Sequence, residues 1–452
     1  MTVVKEKIFF STVIFCIIFA PIYPQTSKIS KKAKDVQLVR GPYLQSGTQT
    51  SMVIKWRTNI STESRVVYGT QPDNLDNSKL LESKTRNHEI KVDGLKEHTK
   101  YYYQVGNEEK LLTKKDPSHY FMTSPSANYN EKIRIWAIGD FGTGNLEQKR
   151  IMNGYMKYRG NYHTDVWLML GDIAYYYGQD NDFQRGIFNG IYSDMMCNTV
   201  IWPTPGNHDM QTSDSELEIG PYYEVFTIPV NGEAGGEASG TEAYYSFNYG
   251  DIHFISMDSD DTPLDKNGEM ASWLQRDLES DNHNWKIVFF HHPPYTKGTH
   301  DSDIDRDSGG RMKAMRENFL PILEEYGVDL VLSGHSHTYE RSYMLRGHYG
   351  YSEEFDRQQM ALHKENEKKI NASDFYKGKE NHGTVYVVCG VSGGHLLAGK
   401  CNHPAMAVSS IRYHGSLSIE VQGNLLSAAL VDKYGKVKDS FTITKDLGIE
   451  VY

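Results

Sequence analysis

Cysteine is scarce in this chain, four among 452 residues. Cys16 lies in an N-terminal apolar run, which leaves Cys197, Cys389 and Cys401 for the folded protein. Three thiols permit at most one internal bridge, so a disulfide-stapled scaffold is excluded, and no pattern of a thiolate zinc site is present. Cys389 and Cys401 are near enough in sequence to pair in an oxidising compartment. Proline is sparse as well, 15 against 31 tyrosines, a balance that leans toward β-rich, partly exposed sheets. No apolar run reaches the ~20 residues of a membrane-spanning helix. Basic excess is missing too: 48 Lys and Arg stand against 58 Asp and Glu, a net charge of −10. That argues against nucleic acid as the main partner, because phosphate backbones want clustered Lys and Arg. Small phosphorylated substrates stay open, since a metal centre supplies positive charge that a residue count misses. Internal repeats are lacking.

What is there begins with a leader. Lys5 and Lys7 precede an apolar run from Ile8 to Ala20, followed by small and polar residues. This is the pattern of a secretory signal peptide, read here over residues 1–25, although no A-x-A cleavage site is evident. An uncleaved anchor is the alternative. Export then leads to a periplasm, a cell surface or the outside.

The texture of the rest divides the chain in two. Between 36 and 125, Met52, Ile54 and Trp56 alternate with mostly polar neighbours, as do Tyr101, Tyr103 and Val105. Period-two alternation broken by turns predicts half-buried strands in a small β-sandwich. GLKEHTKYYYQV, Gly94 to Val105, resembles a fibronectin type III-like domain. From 131 to 452, IRIWAIGD, VWLMLGD, VIWPTPGNHD, IVFFHH and LVLSGH are short apolar runs that break into Gly, Asp, Asn or His. Continuous apolar runs suit strands buried on both faces. Helical spacing lies between them, at Met270 to Glu279 and at Met312, Met315, Phe319, Ile322, Leu323 and Tyr326, with Gly327 as the stop. An α/β layered domain follows, with sites at the carboxyl ends of its strands. Thr384 to Cys389, Ser416 to Val421 and Leu425 to Val431 predict a second sheet, and the charged stretch 349–381 reads as a surface insertion.

Each strand end carries chemistry: Asp140 in GDFG, Asp172 in GDIAY, Asn207 and His208 in GNHD, His291 and His292 in VFFHH, His335 and His337 in GHSH. Carboxylates, imidazoles and an amide oxygen without thiolate suit intermediate or hard metals such as Fe, Zn, Mn or Mg. The glycines before these residues predict sharp backbone turns with unusual φ/ψ. A single Gly-Asp is usually a turn, and a lone His after a strand is usually structural. Five such clusters on five strand ends point to one crevice.

In this order the motifs resemble the calcineurin-like binuclear metallophosphoesterases. Tyr175 in GDIAY and the run Tyr339 to Ser342 (YERS) resemble the large plant-type purple acid phosphatases, and GPYLQ at Gly41 to Gln45 fits the same family. The resemblance implies a two-sheet α/β catalytic domain flanked by helices, behind an all-β fibronectin type III-like domain. It implies a binuclear centre in which Asp140, Tyr175 and His337 hold ferric iron. Asn207, His291 and His335 would hold a divalent Fe, Zn or Mn, with Asp172 bridging the two. His208 and His300 would face substrate as proton donor and charge stabiliser, and His292 would touch substrate or orient its neighbour. His292, Asp301 and the Asp of GNHD depart from the plant pattern.

The implied activity is acid phosphatase: a hydroxide held by metal attacks a phosphate monoester in line. Two rivals stand beside it, a phosphodiesterase of the same superfamily acting on nucleotides or lipid headgroups, and a non-catalytic binding or adhesion protein. The complete donor set argues against the last. Tyr176 and Tyr177 read as packing or pocket wall, and Glu340 and Arg341 as an ion pair near His337. No stable membrane span is expected once the leader is removed.

Overall fold

Apolar runs that are buried on both faces build the framework of the site. Ile133–Ile138, Val166–Met169 and Val200–Pro203 are almost wholly buried and pair in parallel, with Ala137 opposite Leu168 and Leu168 opposite Trp202. In a second sheet Ile252–Ser256, Trp285–Phe289, Leu330–Ser333 and Thr384–Cys389 pair in parallel in the same way. The computed structural model describes residues 35–362, 372–378, 383–396 and 399–446. The expected signal peptide at 1–25 lies outside the described residues. Among those described, no helix is long and apolar enough to cross a membrane.

The first sheet has twelve strands and the second seven. Helix Leu146–Arg159 follows Ile133–Ile138 and covers the first sheet. Asn145 caps it, its side chain accepting the N–H of Gln148 at 3.0 Å, which satisfies one of the helix's otherwise unpaired donors. Tyr155 on its inner face stacks on Trp136 at 4.5 Å, an aromatic contact that adds ~0.5–1.5 kcal/mol to the burial itself.

The N-terminal strands Leu38–Gln45, Ser51–Gly69, Asn77–Asp93, Lys100–Gly106 and Tyr120–Met122 are antiparallel to one another. They also continue the first sheet, because Leu44 pairs in parallel with Val200. Arg40 and Arg57 both bond the carboxylate of Asp180, at 3.0 and 2.6 Å. The described residues from 36 onward accordingly form one compact unit. Trp56 is buried there against His88, their rings 4.9 Å apart.

Two expectations are corrected. The single helix expected around Met312 to Tyr326 is three segments, Arg311–Ala314, Met315–Phe319 and Leu320–Glu325, the middle one widened to a π turn. Pro321 has no N–H to bond the preceding turn, so the ladder loosens just ahead of it. The charged stretch 349–381 is not purely surface. Asp374–Lys377 pairs in parallel with Val437–Lys445, and Phe375 and Lys377 are buried. The alternation of Phe375 with polar neighbours makes it a half-buried edge strand. Residues 363–371 and 379–381 of that stretch lie outside the described residues.

Candidate metal centre

Asp140, Asp172 and Asn207 follow strands of the first sheet, and His291 and His335 follow strands of the second. The two sheets meet at these carboxyl ends. Three of the strand-end residues take left-handed backbone angles: Asp140 at φ 57°, Asp172 at φ 53° and His335 at φ 65°. Such angles are uncommon for residues with a Cβ and cluster at functional sites. This modifies the expectation for the glycines. Gly171 does take a positive φ, 83°, but the unusual angle also falls on the donor residues themselves, and at Gly334 the missing side chain supplies room. A Cβ there would lie 2.5 Å from Asp140 Oδ2 and 2.8 Å from the Leu170 carbonyl.

The seven expected ligands lie in two adjoining groups. In one, the Tyr175 hydroxyl is 3.2 Å from His337 Nε2 and 3.4 Å from Asp140 Oδ1. In the other, Asn207 Oδ1 is 3.0 Å from His335 Nδ1 and 3.1 Å from His291 Nε2. Asp172 stands between them, Oδ1 3.4 Å from His291 Nε2. Donor atoms of Asp140, Asp172 and His291 lie within 4.8 Å of one another.

Hydrogen bonds on the outer side of each ring set which nitrogen faces inward. His291 Nδ1 donates to the Leu170 carbonyl at 2.8 Å, and His337 Nδ1 to that of His395 at 2.9 Å. His335 Nε2 donates to Ser308 Oγ at 2.6 Å. Each outer partner leaves a lone pair on the inner nitrogen, the arrangement of metal-binding histidines. The inward atoms are therefore two carboxylates, an amide oxygen and three imidazole lone pairs, with the Tyr175 hydroxyl beside them. Acceptors this close repel one another unless cations lie among them, so the donor set fits a pair of metal ions.

The electrostatics agree. Burial pushes the Asp172 carboxyl up, but His291 and His208 outweigh it and hold it well below the usual carboxylate range. Burial pulls His291 down, yet Asp172 and Asp140 push it up to about 10. A field that holds a proton on His291 would hold a metal cation in its place. Burial first, then Asp172 and Asp140, keeps the proton on the Tyr175 phenol.

Asp209 carries more than the sequence revealed. Fully buried, it accepts the N–H groups of Ile173 at 2.9 Å, Ala174 at 2.8 Å and Gly206 at 3.0 Å. It ties the loop of Asp172 to the loop of Asn207. Its signal was its place directly after His208.

His208 lies at the edge of the centre, its Nδ1 donating to the Tyr176 carbonyl at 2.7 Å and its Nε2 3.9 Å from Asp172 Oδ2. His300 is partly exposed and its ring stacks on His335 at 4.0 Å. His292 does not meet the expectation of touching substrate. It is 1% exposed, packs against His335 with ring centroids 4.3 Å apart and bonds Ser259. Tyr176 and Tyr177 are exposed beside the site.

Glu340 and Arg341 do not pair with each other. Strand alternation sends them to opposite faces, where Glu340 accepts from Thr338 at 3.1 Å and Arg341 meets Asp439 at 2.7 and 3.1 Å. Cys197, Cys389 and Cys401 are all free thiols, so the 389–401 pairing is not formed. A further cluster, His253, Asp281 and His283, lies away from the centre, and Lys286 Nζ at 3.1 Å already supplies a cation to its carboxylate.

A model of calcineurin-like phosphoesterases matches residues 133–339, and a model of the purple acid phosphatase N-terminal domain matches residues 40–123. The chain belongs to the purple acid phosphatase family. Purple acid phosphatase 15 of Arabidopsis thaliana is 28% identical over 56% of this chain and 49% of its own length. Phosphoenolpyruvate phosphatase of Allium cepa is 27% identical over 69% of this chain and 63% of its own length. The chain thus spans about half of the first relative and under two thirds of the second. Purple acid phosphatase PPD1 from yellow lupin seeds shares the fold, with a TM-score of 0.69 at 16% identity, covering 90% of this chain and 75% of that one. This all-β N-terminal domain followed by a metallophosphoesterase α/β domain is therefore the purple acid phosphatase architecture.

Proposed function

We propose that this protein is an exported dimetal phosphatase that hydrolyses phosphate monoesters. The observation that carries the reading is the convergence of Asp140, Asp172, Asn207, His291, His335 and His337, each with an acceptor atom turned inward, around the buried Tyr175 hydroxyl. Asp140, Tyr175 and His337 would hold ferric iron; Asn207, His291 and His335 would hold a divalent Fe, Zn or Mn; Asp172 would serve both. Bound metal ions supply Lewis-acid charge to the phosphoryl oxygens and lower the pKa of water.

The chain's own residues do the rest. Asp172 stays ionised and contributes charge. His291, His335 and His337 keep their inner lone pairs because their outer nitrogens donate elsewhere. His208, held through Nδ1, has Nε2 left to hold a proton for the departing oxygen. His300 adds a second polar ring, stacked on His335. Export rests on the charged and apolar pattern of residues 1–25.

Metal analysis of natively produced protein, with p-nitrophenyl phosphate and bis(p-nitrophenyl) phosphate assayed across pH, tests the reading. Two metals per chain and preference for the monoester are expected. One metal or none overturns the centre; preference for the diester overturns the substrate class in favour of a phosphodiesterase.

A further inference from the structure

Behind His335 lies a run of hydrogen bonds that neither the ligand set nor the substrate-facing histidines account for. His335 Nε2 donates to Ser308 Oγ at 2.6 Å. Ser308 Oγ donates in turn to Asp307 Oδ1 at 3.0 Å. The same Oδ1 accepts from His300 Nδ1 at 2.7 Å. Its other oxygen, Oδ2, accepts the backbone N–H of Asp301 at 2.8 Å, which fixes the plane of the carboxylate. The rings at the two ends of this run stack on each other at 4.0 Å, interplanar angle 22°.

We propose that Asp307 and Ser308 are positioning residues that set the orientation of His335 and His300 together. The proposal rests on the dimetal reading above. The Asp307 carboxylate can only accept, and that sets the polarity. With its proton committed to Asp307, Ser308 Oγ receives His335 Nε2–H, and His335 Nδ1 keeps its lone pair toward Asn207. With Asp307 accepting from His300 Nδ1, His300 Nε2 is the nitrogen left for the crevice. One carboxylate thus determines which nitrogen each ring offers, on the metal side and on the substrate side.

The backbone supports a fitted role. Ser308 sits at φ 53° and ψ 32°, a left-handed conformation, and Gly309 and Gly310 follow at φ 65° and 84°. Glycine would take the first position with less strain, but it would bring no hydroxyl. His300, Asp307 and His335 also have ligand atoms close enough to hold an ion directly. The Ser308 hydroxyl at 2.6 Å from His335 Nε2 favours the hydrogen-bonded arrangement.

Partners that orient metal-binding histidines change metal affinity by 10–100-fold when removed. Equilibrium dialysis of Ser308→Ala, Ser308→Gly and Ser308→Thr against Zn²⁺ or Mn²⁺ reads this directly. Ser308→Ala and Ser308→Gly are expected to weaken the second metal at least 10-fold and leave the first in place, while Ser308→Thr, whose β-branch is strained at this left-handed position, is expected to keep metal binding only at a cost in stability. On the other arm, Asp307→Asn is expected to lower kcat more than it raises KM. Added to His300→Ala, it should lower kcat less than it does in the wild type, the remainder acting through Ser308 and His335. A wild-type dimetal centre whose affinity Ser308→Ala leaves unchanged, or an Asp307→Asn effect additive with His300→Ala, overturns the proposal. A third bound metal lost in Asp307→Asn also overturns it, in favour of direct ligation. Wild-type protein with no second metal overturns the dimetal reading and this one with it, and the wild-type dialysis alone reveals that case.

Discussion

The carboxylate of Asp140 accepts the backbone N–H of His335 at 2.8 Å, joining the two sheets across 195 residues of sequence. The bond runs past Gly334, whose missing side chain makes the approach possible. In Gly334→Ala the new methyl group would meet Asp140 Oδ2 and the Leu170 carbonyl, and the loops must part. We expect a loss of ~1–3 kcal/mol, as for other overpacked sites, together with loss of metal. Thermal melting and metal content check it. A fully loaded protein of unchanged Tm would show that the sheets are not held this closely.

Tyr175 places its hydroxyl between Asp140 and His337 while its ring is buried. Removing only the oxygen should therefore spare the fold. Ferric iron held as proposed would give a visible charge-transfer band with the Tyr175 phenolate, and Tyr175→Phe is expected to bleach it with little change in circular dichroism. A variant that stays coloured would transfer the role to another phenol, Tyr176 being adjacent.

His208 offers Nε2 at the border of the centre without belonging to either group of ligands. His208→Ala should keep both metals and lower phosphate release by ~10²-fold or more, the usual scale for losing a general acid. Turnover within a few-fold of wild type would remove His208 from the proton transfer.

Arg341 is fully buried and meets Asp439 through two nitrogens. Asp439→Ala leaves that charge without its carboxylate, and a loss of ~3–5 kcal/mol is expected. Replacing both together, Arg341→Met with Asp439→Leu, should recover most of it. Chemical denaturation of the single and double variants measures the difference. A double variant as costly as the sum of the single ones would show that the two residues contribute independently and that no stranded charge is at work.

Stability should fall in acid through buried neutral histidines. Burial holds His348 and His163 down to about 4 and His403 down to about 3. The unfolded chain takes up protons near pH 6.5, before the folded one does, so stability is full above that pH and is lost on the way toward pH 4. Each group contributes at most ~1.4 kcal/mol per pH unit. Asp165 and Asp260, which burial pushes up to about 6, and Asp209, pushed up to about 7, act in the opposite sense and offset part of the loss. Neither ring nitrogen of His348 has a hydrogen-bond partner, and its ring stacks on Tyr295 at 5.3 Å. His348→Phe keeps the stacking and should flatten the fall of the urea midpoint between pH 6.5 and 4.5. An unchanged slope would exclude His348 as a contributor.

Much of the centre was legible before any fold was known, for a local reason. Donor type and strand-end position are written within a few residues, as in GDIAY or GHSH, and continuous apolar runs mark strands buried on both faces. The partners of those side chains are not written locally. Glu340 and Arg341 adjoin in sequence yet part to opposite faces. His292 adjoins His291 yet is packed out of reach of substrate by His335. The π turn in the helix shows the same limit, because the apolar spacing around Phe319 is blind to the N–H that Pro321 lacks.

The sequence by itself determined the kinds of donor, their order along the chain and the strands that end in them. Only the tertiary structure decided which nitrogen of each histidine faces inward, because that depends on Leu170, His395 and Ser308, which lie 121, 58 and 27 residues from the rings they bond. It also decided that the left-handed turns fall on Asp140, Asp172 and His335 themselves. Their angles are set where two sheets meet, by contacts no stretch of the chain contains alone.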